Sequence, residues 1–177
     1  ELLPNQAPIT VDNFIKLVND YHYDGLIFHR VIKNFMIQTG GFTFDFTSRE
    51  SNRSAILNES ANGLKNKRGT VAMARTSDPN SAKAQIFINH KDNDFLDSKG
   101  NKIGYAVFGK IVSGMEIVDK IAQVPTRSLG KYQNVPVEPI RIARATLIRM
   151  GSWTPLVDSS NDSKPLKSLF ERPVPLQ

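Results

Sequence analysis

The chain of 177 residues contains no cysteine and only one tryptophan. Without cysteine, disulfide frameworks, thiolate metal sites and thiol nucleophiles are all excluded. The same absence suits oxidising and reducing surroundings alike, so it does not indicate a compartment. Long hydrophobic runs are also missing, because no segment approaches the roughly 20 apolar residues that a membrane-spanning helix requires. We therefore expect a globular protein that does not enter a membrane.

The excess of positive charge is modest and dispersed. Lysine and arginine number 23 against 17 acidic residues, a formal net charge of +6. Apart from Lys65, Lys67 and Arg68 the basic residues are scattered, which is typical of a solvated surface rather than of a nucleic-acid interface. The three histidines have no spacing typical of a metal site. We expect no nucleic-acid partner, no metal and no other cofactor.

Hydrophobic periodicity predicts a mainly β protein with two principal helices. Thr10 is a candidate cap for the first helix, and the Ser113-x-x-Glu116 pattern is typical of a capping box that opens the second. Residues 42–68 are polar and are interpreted as surface loops. Together these features favour an antiparallel barrel or sandwich with helices at its ends. The predicted helices cover residues 11–20 and 113–122, and the predicted strands cover residues 26–31, 35–39, 70–74, 84–89, 104–112 and 140–150.

Several sequence blocks stand in an order and spacing that resemble the cyclophilin family. The match covers nearly all of residues 7–150, and separated blocks in the correct order are far more specific than one motif. The region Gly104–Val137 is most similar to the periplasmic bacterial branch. The blocks are Phe28-His29-Arg30-Val31-Ile32, Phe35-Met36-Ile37-Gln38, Met73-Ala74, Gln85-Ile86-Phe87-Ile88, Phe95-Leu96-Asp97 and Val107-Phe108-Gly109-Lys110.

The resemblance implies a peptidyl-prolyl cis/trans isomerase with Arg30 as its catalytic residue. Rotation about an X-Pro bond crosses a barrier of about 20 kcal/mol without breaking a covalent bond. A rigid cation that donates hydrogen bonds suits this task, because the prolyl nitrogen gains a lone pair in the twisted state. The plain alternative for one isolated arginine is a surface ion pair. The resemblance implies proline-containing peptides and unfolded proteins as partners, and a role in protein folding.

The resemblance also assigns a substrate-binding groove. Aromatic and polarisable side chains would surround the proline ring, glutamines would bind the peptide backbone, and Ala74 and Arg75 would lie beside the residues that precede the proline. Periodicity alone would equally place the apolar members in an ordinary core. The assigned substrate-binding residues are Phe35, Met36, Gln38, Ala74, Arg75, Gln85, Phe87, Phe95, Leu96 and Tyr105.

Three positions depart from the eukaryotic family pattern. Phe95 and Tyr105 stand where many eukaryotic cyclophilins carry tryptophan and histidine, and Arg75 replaces an asparagine. A phenylalanine has no indole N–H, so one hydrogen-bond donor to cyclosporin would be missing. We expect weak cyclosporin binding together with isomerase activity.

The two ends of the chain differ from the family pattern. Glu1-Leu2-Leu3-Pro4 resembles the end of the family's second strand, so we expect a cyclophilin-like antiparallel β-barrel that lacks its N-terminal strand and has an open edge. We assign residues 1–150 to the isomerase domain. Residues 151–177 are polar and contain four prolines, and we interpret them as a tail. The tail is either a disordered extension, which we favour, or a segment that docks in the chain's own or a neighbour's groove.

Two other functions remain as alternatives. A peptide-binding or chaperone module would hold proline segments without isomerising them, but it would not require Arg30. A basic nucleic-acid-associated protein would need clustered cations and exposed aromatic residues. We expect a monomer. The resemblance to the bacterial branch implies a periplasmic protein, with the cytoplasm as the alternative.

Overall fold

The computed structural model describes residues 1–148, which contain two α-helices and seven short β-strands. Helix α1 covers Pro8–Asn19 and helix α2 covers Met115–Ile121. A single 3₁₀ turn lies at Asp94–Leu96. The strands are β1 (Arg30–Ile32), β2 (Met36–Thr39), β3 (Thr70–Met73), β4 (Ile86–Asn89), β5 (Val107–Lys110), β6 (Thr126–Leu129) and β7 (Tyr132–Pro136).

Five of the strands form one antiparallel sheet in the order β1-β2-β4-β3-β5. Strands β6 and β7 form a separate hairpin that packs beside β1. The first residues of the chain extend the sheet past β5, since the Leu3 amide donates to the Phe108 carbonyl at 2.9 Å. The predicted mainly β class with two helices and antiparallel pairing is confirmed. Within residues 1–148 no ladder joins β1 to β5, so the sheet is open and not a closed barrel.

The alternation of side chains divides the sheet into two faces with different roles. On one face, Val31, Ile37 and Ile88 pack against α2. Strands β3 and β4 continue this face under α1, through a cluster that includes Met73 and Ile86. The opposite face carries Met36, Ala72 and Phe87 in a smaller cluster with Leu96. The helices thus cover one face, and the second face is left for the cleft described below.

The two helix starts differ from the predictions. Helix α1 begins after Ala7 with Pro8 in its first turn, and no side chain of its own caps it. Thr10 is buried inside the helix instead, and its amide and hydroxyl both donate to the Glu59 carboxylate at 2.7 Å. A distant loop therefore supplies the acceptor that the free amides of a helix start require.

The predicted capping box of α2 is also wrong. Gly114 occupies the cap position with φ +87°, and no side chain forms a cap hydrogen bond. A glycine adopts this left-handed conformation without steric cost, so the chain enters the helix through backbone geometry. The side chains of Ser113 and Glu116 form no cap hydrogen bond at this helix start.

The strands are shorter than the sequence predicts, and one pair was missed. The predicted strand over residues 140–150 is described as far as residue 148, and within that part only the segment Ile140–Ile142 pairs with Leu26–Phe28, through an isolated bridge. The β6–β7 hairpin was not predicted. The predicted tail over residues 151–177 lies outside the described residues. In the part of the chain that the structure describes, no helix is long and apolar enough to cross a membrane.

Candidate active site

A cleft of ≈ 540 Å³ opens on the sheet face that the helices leave uncovered. It gathers residues from β1, β2 and β4 and from the loops that follow β3 and precede β5. Every predicted site residue except Phe95 lines it. The predicted residues in the lining are Arg30, Phe35, Met36, Gln38, Ala74, Arg75, Gln85, Phe87, Leu96 and Tyr105.

Arg30 begins β1 and lies directly opposite Gln38 of β2 in the antiparallel register. Its side chain is partly buried and lines the cleft. It forms no ion pair with a carboxylate of residues 1–148. The surface ion pair that would explain an isolated arginine is therefore not found in this part of the chain, and the guanidinium is available to a ligand.

Apolar side chains form part of the cleft wall. Met36, Phe87 and Leu96 are 1%, 4% and 8% exposed and pack in one cluster. The Tyr105 ring meets the Phe87 ring edge-on, with centroids 5.7 Å apart. Because their backs are buried and their edges line a cavity, these residues serve both alternatives that the sequence left open, core packing and pocket wall.

Phe95 lies beside the cleft rather than in its lining. Its side chain is 58% exposed, and its ring stacks on the outer side of Phe35 with centroids 5.6 Å apart. It supports a wall residue and reaches solvent. Contact with a bound peptide would therefore occur at the rim.

A buried network of amides holds the apolar wall from behind. The Asn93 side chain, fully buried, donates to the Phe35 carbonyl at 2.9 Å and to the Asn89 side-chain oxygen at 2.7 Å. The Leu96 amide donates in turn to the Asn93 carbonyl. One asparagine thus connects two wall residues that are distant in sequence.

Arg75 is fixed on the edge of the cleft next to Tyr105. Its guanidinium carbon lies 4.5 Å from the centre of the Tyr105 ring. Its nitrogens donate to the carbonyl oxygens of Thr76, Ile103 and Gly104. Carbonyl groups orient the side chain without neutralising its charge, so it remains a rigid cation at the cleft edge.

His29 is a cleft residue that the sequence did not assign to the site. It lines the cavity, is only 6% exposed, and packs its ring 4.8 Å from that of Phe42. Burial, with a smaller contribution from the charge of Arg30, lowers the pKa of His29 to about 4. The imidazole is therefore neutral near pH 7, and its Nδ1 has no hydrogen-bond partner among the described residues.

The tip of the β6–β7 hairpin closes one side of the cleft and was also missed. Residues 131–134 contribute to the lining, and Gly130 takes a positive φ of 54° in the turn. The one available signal was the Gly130-Lys131 pair between Leu129 and Tyr132, which is typical of a two-residue hairpin turn. The strand β6 is entirely exposed, so it lacks the alternating apolar pattern that would reveal it.

Within residues 1–148, no three His, Asp or Glu side chains are grouped as metal ligands would be. The cleft itself contains cations, amides, aromatic rings and aliphatic side chains. Such a set suits a partly apolar ligand with polar backbone groups, such as a peptide.

Comparisons with known proteins agree with this fold. The family model described as "Cyclophilin type peptidyl-prolyl cis-trans isomerase/CLD" matches residues 1–147. A peptidyl-prolyl cis-trans isomerase of Acinetobacter baylyi is 54% identical over 142 residues, which are 80% of this chain and 75% of the relative. Peptidyl-prolyl cis-trans isomerase B of Escherichia coli is 48% identical over 146 residues, covering 81% and 88%.

A solved structure gives the same result. The cyclophilin type peptidyl-prolyl cis-trans isomerase of Cryptosporidium parvum, determined in the presence of the dipeptide Ala-Pro, superposes with a TM-score of 0.66 at 27% identity. The alignment covers 81% of this chain and 87% of that one. The fold and the family match thus define an isomerase of the cyclophilin type. The chain belongs to the cyclophilin-type peptidyl-prolyl cis-trans isomerase family, and the predicted family and enzyme class are confirmed.

Proposed function

We propose that this protein accelerates rotation about X-Pro bonds in flexible polypeptides and that Arg30 is its catalytic residue. The observation that carries the proposal is the position of the Arg30 guanidinium in the cleft, beside apolar walls and without a carboxylate partner in residues 1–148. A binding module could use the same walls and glutamines. It would have no use for a cation directed at the bond that rotates.

The proposed catalysis requires one hydrogen-bond donor, placed at the prolyl nitrogen. When the peptide bond twists, amide resonance is lost and the prolyl nitrogen acquires a basic lone pair. A guanidinium N–H that donates to this nitrogen stabilises the twisted state more than the planar one, and this difference lowers the barrier. Since no covalent bond is broken, no nucleophile, metal or cofactor is required.

The cleft surroundings support this use of Arg30. Phe87, Met36 and Leu96 offer an apolar surface for the proline ring. Gln38 and Gln85 offer amide groups to the backbone of the peptide, because both line the cavity next to Arg30. Fixing the peptide on both sides leaves rotation about the X-Pro bond as the remaining freedom.

Isomerisation of a short X-Pro peptide by the wild type, Arg30→Ala and Arg30→Lys tests the proposal. Removing one donor to a developing charge costs on the order of 100- to 1,000-fold in rate, so we expect a loss of this size in kcat/KM for Arg30→Ala. Arg144→Ala is the matched control, since that arginine is 62% exposed and does not line the cleft.

Two outcomes would decide against the proposal. Equal activity of the wild type and Arg30→Ala would remove Arg30 from the mechanism. A wild type that binds the peptide without isomerising it would favour the binding-module alternative. The family's folding role and the periplasm remain our proposals for client and compartment, to be checked by refolding of a proline-limited protein and by cell fractionation.

A further inference from the structure

The charges that line the cleft are all of one sign. Its charged residues are Arg30, Arg75 and Lys131, and its lining contains no aspartate or glutamate. Among residues 1–148 none of the three cations is paired with a carboxylate. Arg30 already has a task in the proposed reaction, whereas the positive charges of Arg75 and Lys131 have none.

Lys131 is held at the cleft by the hairpin that the sequence did not reveal. It lies in the turn between Leu129 and Tyr132, and its ammonium is 5.4 Å from the centre of the Tyr132 ring. The Tyr132 ring is anchored against Phe42 and Phe46, with centroid distances of 5.2 and 5.0 Å. The hairpin tip is therefore attached to the body of the protein, and the exposed lysine projects from a fixed base.

Arg75 and Lys131 stand at opposite edges of the cleft. Arg75 follows β3, on the side of the sheet that ends in β5. Lys131 belongs to the hairpin beside β1, at the other end of the strand order. A peptide that crosses the cleft therefore passes between them. If the residues before the proline lie along Ala74 and Arg75, as the resemblance implies, the residues after it face Lys131.

We propose that the cleft selects proline segments with an acidic residue after the proline, and that Lys131 is the specificity-determining residue for that position. This inference rests on the proposed isomerase function. Cations that line a concave, partly apolar surface focus their potential into it and raise the local concentration of an anionic ligand. The cations of the cleft are sufficient for this preference, and it does not depend on the net positive charge of the rest of the protein.

The expected size of the preference is moderate, because Lys131 is exposed. Charges separated by several ångströms in a largely aqueous setting change an equilibrium by about two- to threefold per pair. Replacing glutamate by lysine in the substrate reverses the sign of the interaction, so we expect roughly a four- to ninefold difference in kcat/KM between the two peptides at low salt. Screening should reduce this ratio at an ionic strength of about 0.5 M.

The experiment uses three short peptides that differ only in the residue after the proline: glutamate, alanine or lysine. The full chain is compared with Lys131→Glu and with the matched control Lys120→Glu, which makes the same charge change on the exposed side of α2, away from the cleft. Lys131→Gln provides a second test if the charge reversal disturbs the hairpin. The measured quantity is the ratio of kcat/KM for the glutamate and lysine peptides.

A ratio of roughly four to nine that falls at least fivefold in Lys131→Glu, falls less in Lys131→Gln and is unchanged in Lys120→Glu supports the proposal. A wild type that isomerises the alanine peptide but has a ratio near one, or a ratio that Lys131→Glu leaves unchanged, overturns the inference and leaves the isomerase function standing. Failure of the wild type on the alanine peptide overturns the proposed function itself, and the inference falls with it.

Discussion

The side-chain amide of Gln38 donates a 2.8 Å hydrogen bond to the side-chain oxygen of Gln85. The two residues are separated by 47 positions and meet where the active cleft borders a second cavity of ≈ 330 Å³. Both side chains line both cavities. The Gln38–Gln85 pair therefore separates the two cavities, and the hydrogen bond between the two side chains orients the amide groups that face each cavity.

Gly41→Ala should disturb this pair without unfolding the protein. A Cβ at Gly41 would lie 2.5 Å from Nε2 of Gln85, so the end of that flexible side chain must move and lose its bond to Gln38. A neutral hydrogen bond contributes about 1 kcal/mol, and we expect kcat/KM to fall about fivefold, mainly through KM. Peptide kinetics and urea unfolding of the same variant separate the two effects.

A double-mutant cycle controls this prediction. In a Gln85→Ala background, Gly41→Ala has no side chain to displace and should have little further effect on KM. If the loss in the double variant equals the sum of the losses in the two single variants, Gly41 acts by another route.

Asn93→Ala should lower both stability and substrate affinity. The change removes the donor to the Phe35 carbonyl and leaves the Asn89 side-chain oxygen without this bond. Loss of a buried hydrogen-bonding partner costs about 1–3 kcal/mol in the free energy of unfolding. We expect KM to rise several-fold, because Phe35 loses the side-chain hydrogen bond that fixes its position in the cleft wall.

Asn13→Ala is the matched control for Asn93→Ala. This asparagine is also buried, and it donates to the Lys83 carbonyl from helix α1. Its replacement should lower the free energy of unfolding and leave KM unchanged. An equal rise of KM in both variants would attribute the effect to general destabilisation.

Stability should decline in mild acid because of His29. Its pKa is lowered to about 4 in the folded protein, whereas an unfolded histidine titrates near 6.5. Between these values the unfolded chain binds a proton that the folded protein does not, so the free energy of unfolding falls as the pH decreases from about 6.5 to about 4. The full effect of one such histidine is on the order of 3 kcal/mol.

His29→Gln should therefore flatten the pH dependence. We expect urea unfolding to show a smaller decline for the variant, by about 2 kcal/mol between pH 8 and 4.5. Above pH about 7.5 both proteins carry a neutral group here, and their difference should be constant. Parallel curves over the whole range would mean that His29 titrates normally in the folded state.

Cyclosporin should bind weakly to the wild type and more tightly to Phe95→Trp. Phe95 is at the exposed rim, where an indole N–H would add one neutral hydrogen bond, equivalent to about three- to tenfold in affinity. Titration calorimetry measures the change. Phe44→Trp is the control, since Phe44 is 60% exposed and does not line the cleft. Nanomolar binding by the wild type would contradict the prediction.

Short motifs with strong local constraints were predictable from the sequence. The blocks around Arg30, Met36 and Phe87 led to the family, and the alternation in β2 placed Met36 and Gln38 on one face of that strand. The register of the structure pairs Gln38 with Phe87 and so puts Phe87 on the same face of the sheet. Period-two alternation assigns faces because successive side chains in a strand point in opposite directions. This information is local and needs no knowledge of distant contacts.

Helix starts and the hairpin were not predictable on the same basis. Thr10 is a residue type that commonly caps helices. At that helix start, however, the hydrogen-bond acceptor is Glu59, which is 49 residues away in the sequence. The β6 strand is exposed throughout, so no apolar pattern marks it. In both cases the deciding interaction is tertiary, and local propensity is only a weak prior against it.

The sequence by itself determined the family, the strand faces and the identities of most groups in the cleft, because these depend on residue type and on spacing along the chain. Only the tertiary structure decided that Phe95 stands at the rim, that His29 is buried beside Arg30, and that Lys131 reaches the same cleft from 101 positions away. Burial and charge proximity are properties of the folded arrangement, and they set the pKa of His29 and the single sign of charge in the cleft.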